Sequence, residues 1–306
     1  MKKILLISST FPPNSSVGGL RPAYFFKYFN ETELDTHVFT IDRDSHNNLM
    51  SIDFDKSLDS KVKKMNYSEQ DGFDYLENRR LTKKVRDFLN PSYSSPPGLL
   101  DAAKKRVQEK FDINEFDLII ATVPDMWTAS LAAFLNKKYK VKFIIDFRDA
   151  YEQERGMPRS LRQRIQVYRF LYARHKIVKN ASELLTVSKY LASELERKFG
   201  KKTTVIYNGY DDDLFNPNSH RENQPREEKN STIRIVYTGR ILNLWYQNPI
   251  PLIKAMRDLN GKDNGNREIE IHFYGVKKEI LSHLLNKDDL EYIFFHDRVD
   301  YNKVKG

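Results

Sequence analysis

The chain has 306 residues, 40% of them hydrophobic and 30% charged, with a formal net charge of +9 and no cysteine. That length suggests about two domains with a sizeable buried core. The lack of cysteine excludes disulfides and thiolate metal sites and fits a reducing compartment, while the positive balance favours an anionic partner without choosing among nucleic acid, a phospholipid surface and a phosphorylated small molecule.

The chain opens with Lys2 and Lys3 before Ile4-Leu5-Leu6-Ile7, but this apolar run ends at Ser8, too soon for an export signal. It reads as a first buried strand. No stretch approaches the roughly 18 apolar residues of a membrane span. Short apolar runs at 4–8, 36–41, 118–121, 143–145, 184–187 and 205–207 alternate with helical patterns at 21–30, 99–110, 127–139, 160–180 and 189–199. Strands alternating with helices imply an α/β domain with a parallel, doubly wound, Rossmann-like sheet covered on both faces. It is expected over 1–215. Residues 49–80 are polar and receive no element. A polar, charged tract at 216–231 with Pro217 and Pro225 reads as a linker. A second cycle then begins, with strands at 233–237, 269–274 and 292–296 and helices at 249–259 and 277–285, giving the first half of a second Rossmann-like domain over 232–306.

Four constellations suit chemistry. The first strand runs into Phe11-Pro12-Pro13-Asn14-Ser15-Ser16-Val17-Gly18-Gly19 ahead of a helix, and a glycine pair there can wrap an anion at the helix N-terminus. A flexible turn is the plainer reading. Asp146, Arg148 and Asp149 follow the strand at 143–145, where open α/β sheets bind ligands; an internal Arg148 ion pair is the alternative. Asn208-Gly209 forms a turn after the strand at 205–207, and the aspartates at 211–213 lack the further ligands a metal cage needs. Gly239 and Arg240 end the strand at 233–237: glycine permits close approach of an anion, and arginine offers it a planar fork.

The stretch between Glu154 and Glu183 holds no acid and eight Arg or Lys residues. Leu161, Ile165, Tyr168 and Tyr172 fall at helical spacing and are expected to pack on the sheet. The basic remainder, between Arg159 and Lys179, then forms an outward face open to an anionic membrane surface. Nucleic acid ranks last, because no nucleic-acid motif accompanies the charge.

FPPNSSVGGLRP at 11–22, IIDFRDAY at 144–151, ELLTVSKYL at 183–191, VIYNGYDDDLF at 205–215 and IVYTGRI at 235–241, in this order, resemble the family 4 glycosyltransferases of GT-B fold, closest to members that build bacterial surface polysaccharides such as capsule. The resemblance implies a retaining transfer of sugar from a nucleotide-sugar donor to a polysaccharide or lipid-linked oligosaccharide, without a metal or other cofactor, in the cytoplasm or at the inner face of the plasma membrane. It implies that Gly18 and Gly19 lie near donor phosphates or acceptor, that Asp146, Arg148 and Asp149 line the acceptor side, that Asn208 and Gly209 shape the cleft, and that Arg240 neutralises the donor diphosphate. Many members carry a histidine where this chain has Val123-Pro124-Asp125-Met126, so no catalytic residue is carried over. Many carry a lysine after the Gly-Arg, where Tyr246-Gln247-Asn248-Pro249 stands here. The family's glutamate pair, eight positions apart, has no counterpart after Ser231, and the expectation is a truncated second domain with impaired activity. A non-catalytic module binding lipid or polysaccharide through its basic face is the alternative.

Overall fold

The computed structural model describes residues 1–13, 17–42, 56–67, 98–149, 161–209, 232–239, 241, 244, 247–261, 268–297 and 299. The chain divides into two compact units, Met1–Gly209 and Tyr210–Gly306. The expected linker at 216–231 lies outside the described residues.

The first unit runs β1 (Lys2–Ser8), α1 (Leu20–Asn30), β2 (Leu34–Asp42), β3 (Val62–Asn66), α2 (Leu99–Lys110), β4 (Leu118–Val123), α3 (Met126–Tyr139), β5 (Lys142–Phe147), α4 (Leu161–Asn180), β6 (Glu183–Thr186), α5 (Lys189–Phe199) and β7 (Thr203–Val205). Its sheet has the order β3-β2-β1-β4-β5-β6-β7, every ladder parallel. This is the doubly wound α/β layout expected from the alternating pattern. Because side chains alternate across a strand, Ile4 and Leu6 of β1 join Phe26 of α1 in one core, while Leu5 and Ile7 join Val107 of α2 and Trp127 of α3 in the other. The chain order reverses between β1 and β4, which opens a crevice at their carboxyl ends.

Two strands of this sheet differ from expectation. Strand β3 lies inside the stretch at 49–80 that received no element; Val62-Lys63-Lys64-Met65-Asn66 pairs with β2 at the sheet edge, where one side is free to be polar, and only Met65 is buried. Strand β7 lies at Thr203–Val205 rather than at 205–207, since its ladder begins at Leu184↔Thr203 and ends at Thr186↔Val205. Ile206 closes it with an N–H bond to the Thr186 carbonyl at 2.8 Å, and Tyr207 is exposed.

Helix α4 overturns the reading of its stripe. Leu161, Ile165, Tyr168 and Tyr172 are 75, 47, 70 and 55% exposed. The inward face is instead Phe170, Arg174 and Val178, all buried. The Arg174 guanidinium sits 5.9 Å from the Phe170 ring and 5.5 Å from the Phe199 ring, so cation–π contact makes an arginine part of the packed face. A polar letter at the centre of the true inner stripe conceals it in the sequence.

The second unit contains β8 (Thr232–Thr238), α6 (Ile250–Asn260), β9 (Glu268–Tyr274), α7 (Lys278–Leu281) and β10 (Ile293–His296), with parallel strands in the order β10-β9-β8. Ile253 and Met256 of α6 pack on Ile271 and Phe273 of β9. Arg257 of α6 binds Asp289 through Nε at 2.5 Å and again through Nη2, fixing the helix to the turn before β10. The helix expected at 277–285 is shorter: after Leu281 it tightens to a 3-10 turn, Ser282–Leu284. There Ser282 Oγ donates to the Glu279 carbonyl at 3.1 Å, a local bond that competes with helix continuation. Among the described residues, no helix is long and apolar enough to cross a membrane.

Candidate active site

The carboxyl ends of β1, β4, β5 and β7 gather a polar rim. Arg21 anchors it from the first turn of α1. A cation there opposes the helix dipole, and no acid in that turn compensates it; its placement comes from tertiary partners. Arg21 Nε lies 2.9 and 3.1 Å from the Asp146 oxygens, and Nη2 lies 2.8 Å from Oδ1. Nη1 donates to the Ile206 carbonyl at 2.7 Å and to Asn208 Oδ1 at 3.3 Å. The Phe25 ring, one helical turn on, covers the guanidinium at 4.7 Å. One side chain thus ties α1 to the end of β5 and to the chain leaving β7.

Asp146 is fully buried, and its carboxylate is turned into this pair. The reading that placed it on an acceptor-facing surface is corrected: the strand pleat points it into the protein, and Arg21 answers its charge. The partner of Asp146 is Arg21.

Arg148 lies just past the end of β5. Its Nε donates to the Val123 carbonyl at 3.1 Å, and its Nη1 donates to the Gly18 carbonyl. Burial pulls the guanidinium below its usual pKa, opposed by Asp146, Asp149 and Asp125; arginine stays charged nonetheless. Gly18 is explained by this contact, since a Cβ there would meet Arg148 Nη1 at 2.5 Å. Gly19, with φ −82°, needs no glycine conformation, and a Cβ would find Thr10 backbone atoms at an ordinary 3.5 Å. Asp149 is exposed beside Arg148.

Beneath the rim runs a hydroxyl network. Ser8 Oγ donates to the Thr10 carbonyl at 2.7 Å, Thr122 Oγ1 contacts Ser8 Oγ at 3.1 Å, and Trp127 Nε1 donates to Ser9 Oγ at 2.7 Å. Thr128 Oγ1 bridges the carbonyls of Thr122 and Asp125, and Thr186 Oγ1 donates to the Phe147 carbonyl at 2.8 Å. Such bonds fix the strand ends. The Thr10 hydroxyl is buried without a partner among the described residues.

The structure therefore brings Gly18, Arg148 and Asp149 together, joins Asn208 to Asp146 through Arg21, and leaves Gly209 exposed with open space where a Cβ would stand. Arg21, Ser9 and Trp127 escaped the sequence reading; the arginine in GGLRP, placed against the helix dipole, was the available signal. In the second unit Gly239 donates its N–H to the Tyr274 carbonyl at 3.2 Å. Arg240 and residues 211–213 lie outside the described residues. Among the described residues, no group of three or more His, Asp or Glu side chains could hold a metal ion.

Residues 66–214 match the profile of Glycosyltransferase Family 4. A search of curated proteins finds no match. Among solved structures, sucrose-phosphate synthase from Thermosynechococcus elongatus is similar at 11% identity and a TM-score of 0.61, over 100% of this chain and 72% of that one. TarM is similar at 10% identity and TM-score 0.58, over 98% and 77%. Anabaena HepE in complex with UDP is similar at 15% identity and TM-score 0.52, over 99% and 71%. Residues 66–214, which supply the β4, β5 and β7 ends of the rim, match the glycosyltransferase family 4 domain, and the chain takes the GT-B fold.

Proposed function

We propose that this glycosyltransferase moves a sugar from a nucleotide-sugar to a polysaccharide or lipid-linked oligosaccharide with retention of anomeric configuration. The observation that carries the reading is the rim at the carboxyl ends of β1, β4 and β5, where the Arg148 cation is pinned by the Gly18 and Val123 carbonyls inside the matched segment and its flank. HepE, which shares the fold, was solved with UDP, and this supports a nucleotide diphosphate donor. The unpartnered Thr10 hydroxyl supports a polar ligand at the same turn.

In such a transfer the bond between the anomeric carbon and the diphosphate breaks, and its electron pair leaves on phosphate oxygen. The acceptor hydroxyl oxygen bonds to that carbon, and its proton passes to the departing phosphate oxygen. Fixed cations stabilise the charge that grows on the leaving group. Arg240 is assigned to the diphosphate, Arg148 and Asp149 to orienting the acceptor with Gly18 and Gly19 at the turn beside them, and Asp146 to positioning through Arg21. Asn208 and Gly209 shape the exit from β7.

The test is nucleotide release from UDP- and GDP-sugars in the presence of lipid-linked acceptors, with the product anomer assigned by NMR. Arg148→Met and Arg240→Met are each expected to lower kcat/KM by about 10²-fold. An inverted product overturns the retaining assignment. Failure of any nucleotide-sugar to bind in calorimetry overturns the donor class.

A further inference from the structure

The parallel strands of the second unit leave β8, Thr232–Thr238, at the edge of their sheet among the described residues. The other described edges are blunted: β3 carries Lys63 and Lys64, β7 is three residues long and β10 four. Short length and edge lysines discourage pairing with another chain. Strand β8 has neither device. It runs for seven residues without proline or lysine, and Ile233 and Val236 are 44 and 57% exposed.

The backbone of β8 is also turned to receive a partner. Gly239 donates its N–H to the Tyr274 carbonyl, and along a parallel ladder alternate residues direct both main-chain groups to the same neighbour. Ile233, Ile235 and Tyr237 therefore direct theirs to β9, while Thr232, Arg234, Val236 and Thr238 aim theirs outward. Such a row of N–H and C=O groups is a template for another strand.

The strand sequence, Thr-Ile-Arg-Ile-Val-Tyr-Thr, is complementary to itself about Ile235. We propose that β8 pairs antiparallel with β8 of a second copy of this chain, across a two-fold axis at Ile235, joining the two three-stranded sheets into one. Thr232 then faces Thr238 of the other copy and Arg234 faces Val236, so that outward groups meet and exchange both hydrogen bonds. Ile235 meets Ile235, and Ile233 meets Tyr237, in the closer pairs that lack backbone bonds. Threonine opposite threonine and a β-branched side chain opposite an aromatic one are favourable. Ile235 and Tyr237 already pack in the core built on Ile253 and Met256 of α6, and pairing continues that apolar face. Arg234 keeps its own Glu270, at 3.3 Å. Neighbouring registers are worse. A slip of one residue sets outward groups against inward ones and turns the apolar side chains to the wrong face. A slip of two brings either Arg234 against Arg234 or Ile233 against Gly239. An unrelated extended peptide would have no reason to match the symmetry of the strand.

The experiment is sedimentation equilibrium of the whole chain across the micromolar range, where a reversible dimer is expected. Val236→Lys sets a cation opposite Arg234 on both sides of the axis and should weaken the dimer by about tenfold. Val236→Glu offers the same arginine a carboxylate and should hold or tighten it. Leu290→Lys, exposed in the same unit, should leave it unchanged. Because the chain has no cysteine, a single introduced thiol reports on register. Ile235→Cys brings two thiol-bearing residues to about 4.5 Å between Cα atoms, within disulfide reach. Ile233→Cys keeps them about 14 Å apart at 3.4 Å per residue. Only Ile235→Cys should therefore cross-link under mild oxidation, and that result supports the pairing even if the charged variants misfold. A monomeric wild-type chain, a dimer that Val236→Lys and Val236→Glu affect alike, or cross-linking from Ile233→Cys overturns the proposal.

Discussion

Arg21 and Asp146, 125 residues apart in sequence, form a two-point ion pair with almost no exposure to solvent. Removing one partner strands the other charge in the interior, so Arg21→Met or Asp146→Asn should each destabilise the first unit by about 3–5 kcal/mol in urea unfolding. The double variant Arg21→Met/Asp146→Asn should lose less than the sum of the two, since no isolated charge remains. Additive losses would show that the two groups do not act as a pair.

The neighbouring glycines should separate cleanly. Gly18→Ala would put a Cβ 2.5 Å from Arg148 Nη1, so the guanidinium must move off the Gly18 carbonyl, at about 0.5–1.5 kcal/mol for the lost hydrogen bond. Gly19→Ala meets only ordinary contacts and should change the melting temperature little. If Gly18→Ala melts as the wild type does, the Arg148 contact does not explain the glycine.

Acid should weaken the fold in two stages. Burial holds His37 below the ordinary histidine value of 6.5, against the opposing pull of Asp35; its ring stands edge-on to Phe111 and Phe116. The unfolded chain therefore takes up this proton first, and stability falls as pH drops below about 6.5. Melts over descending pH should show this loss, and His37→Gln should flatten it.

Asp289 gives the lower stage. The hydrogen bond from Arg257 brings its carboxyl below the ordinary aspartate value of 3.8. Its contribution is complete above that value and disappears as pH falls through the depressed folded pKa. Asp289→Asn should remove this late loss while lowering stability at neutral pH. A wild-type acid profile in the variant would exclude Asp289 as its source.

Much of the first sheet was legible because β1, β4 and β5 are buried on both faces, and two-sided burial leaves unbroken apolar runs such as Ile4 to Ile7. Strand β3 was not, because an edge strand tolerates Lys63 and Lys64 on its open side. The tips of the strands announced Gly18, Arg148 and Asn208 as residues of interest, yet their connections depend on contacts between distant segments. Asp146 looked like a surface acid until the pleat of β5 turned it toward Arg21. On α4 two stripes share the helical period, and only the stacking of Arg174 on Phe170 and Phe199 decides which faces inward.

The reach of Arg21 also sets an order of assembly. Its bonds to the Ile206 carbonyl and Asn208 Oδ1 span 185 and 187 residues, so on a chain emerging from the ribosome this guanidinium waits through nearly the whole first unit for its last acceptors. The strand-end rim is consequently among the final parts of that unit to become fixed. A fragment ending before Ile206 would keep β1, β4 and β5 but lack the clasp that ties them to the exit from β7.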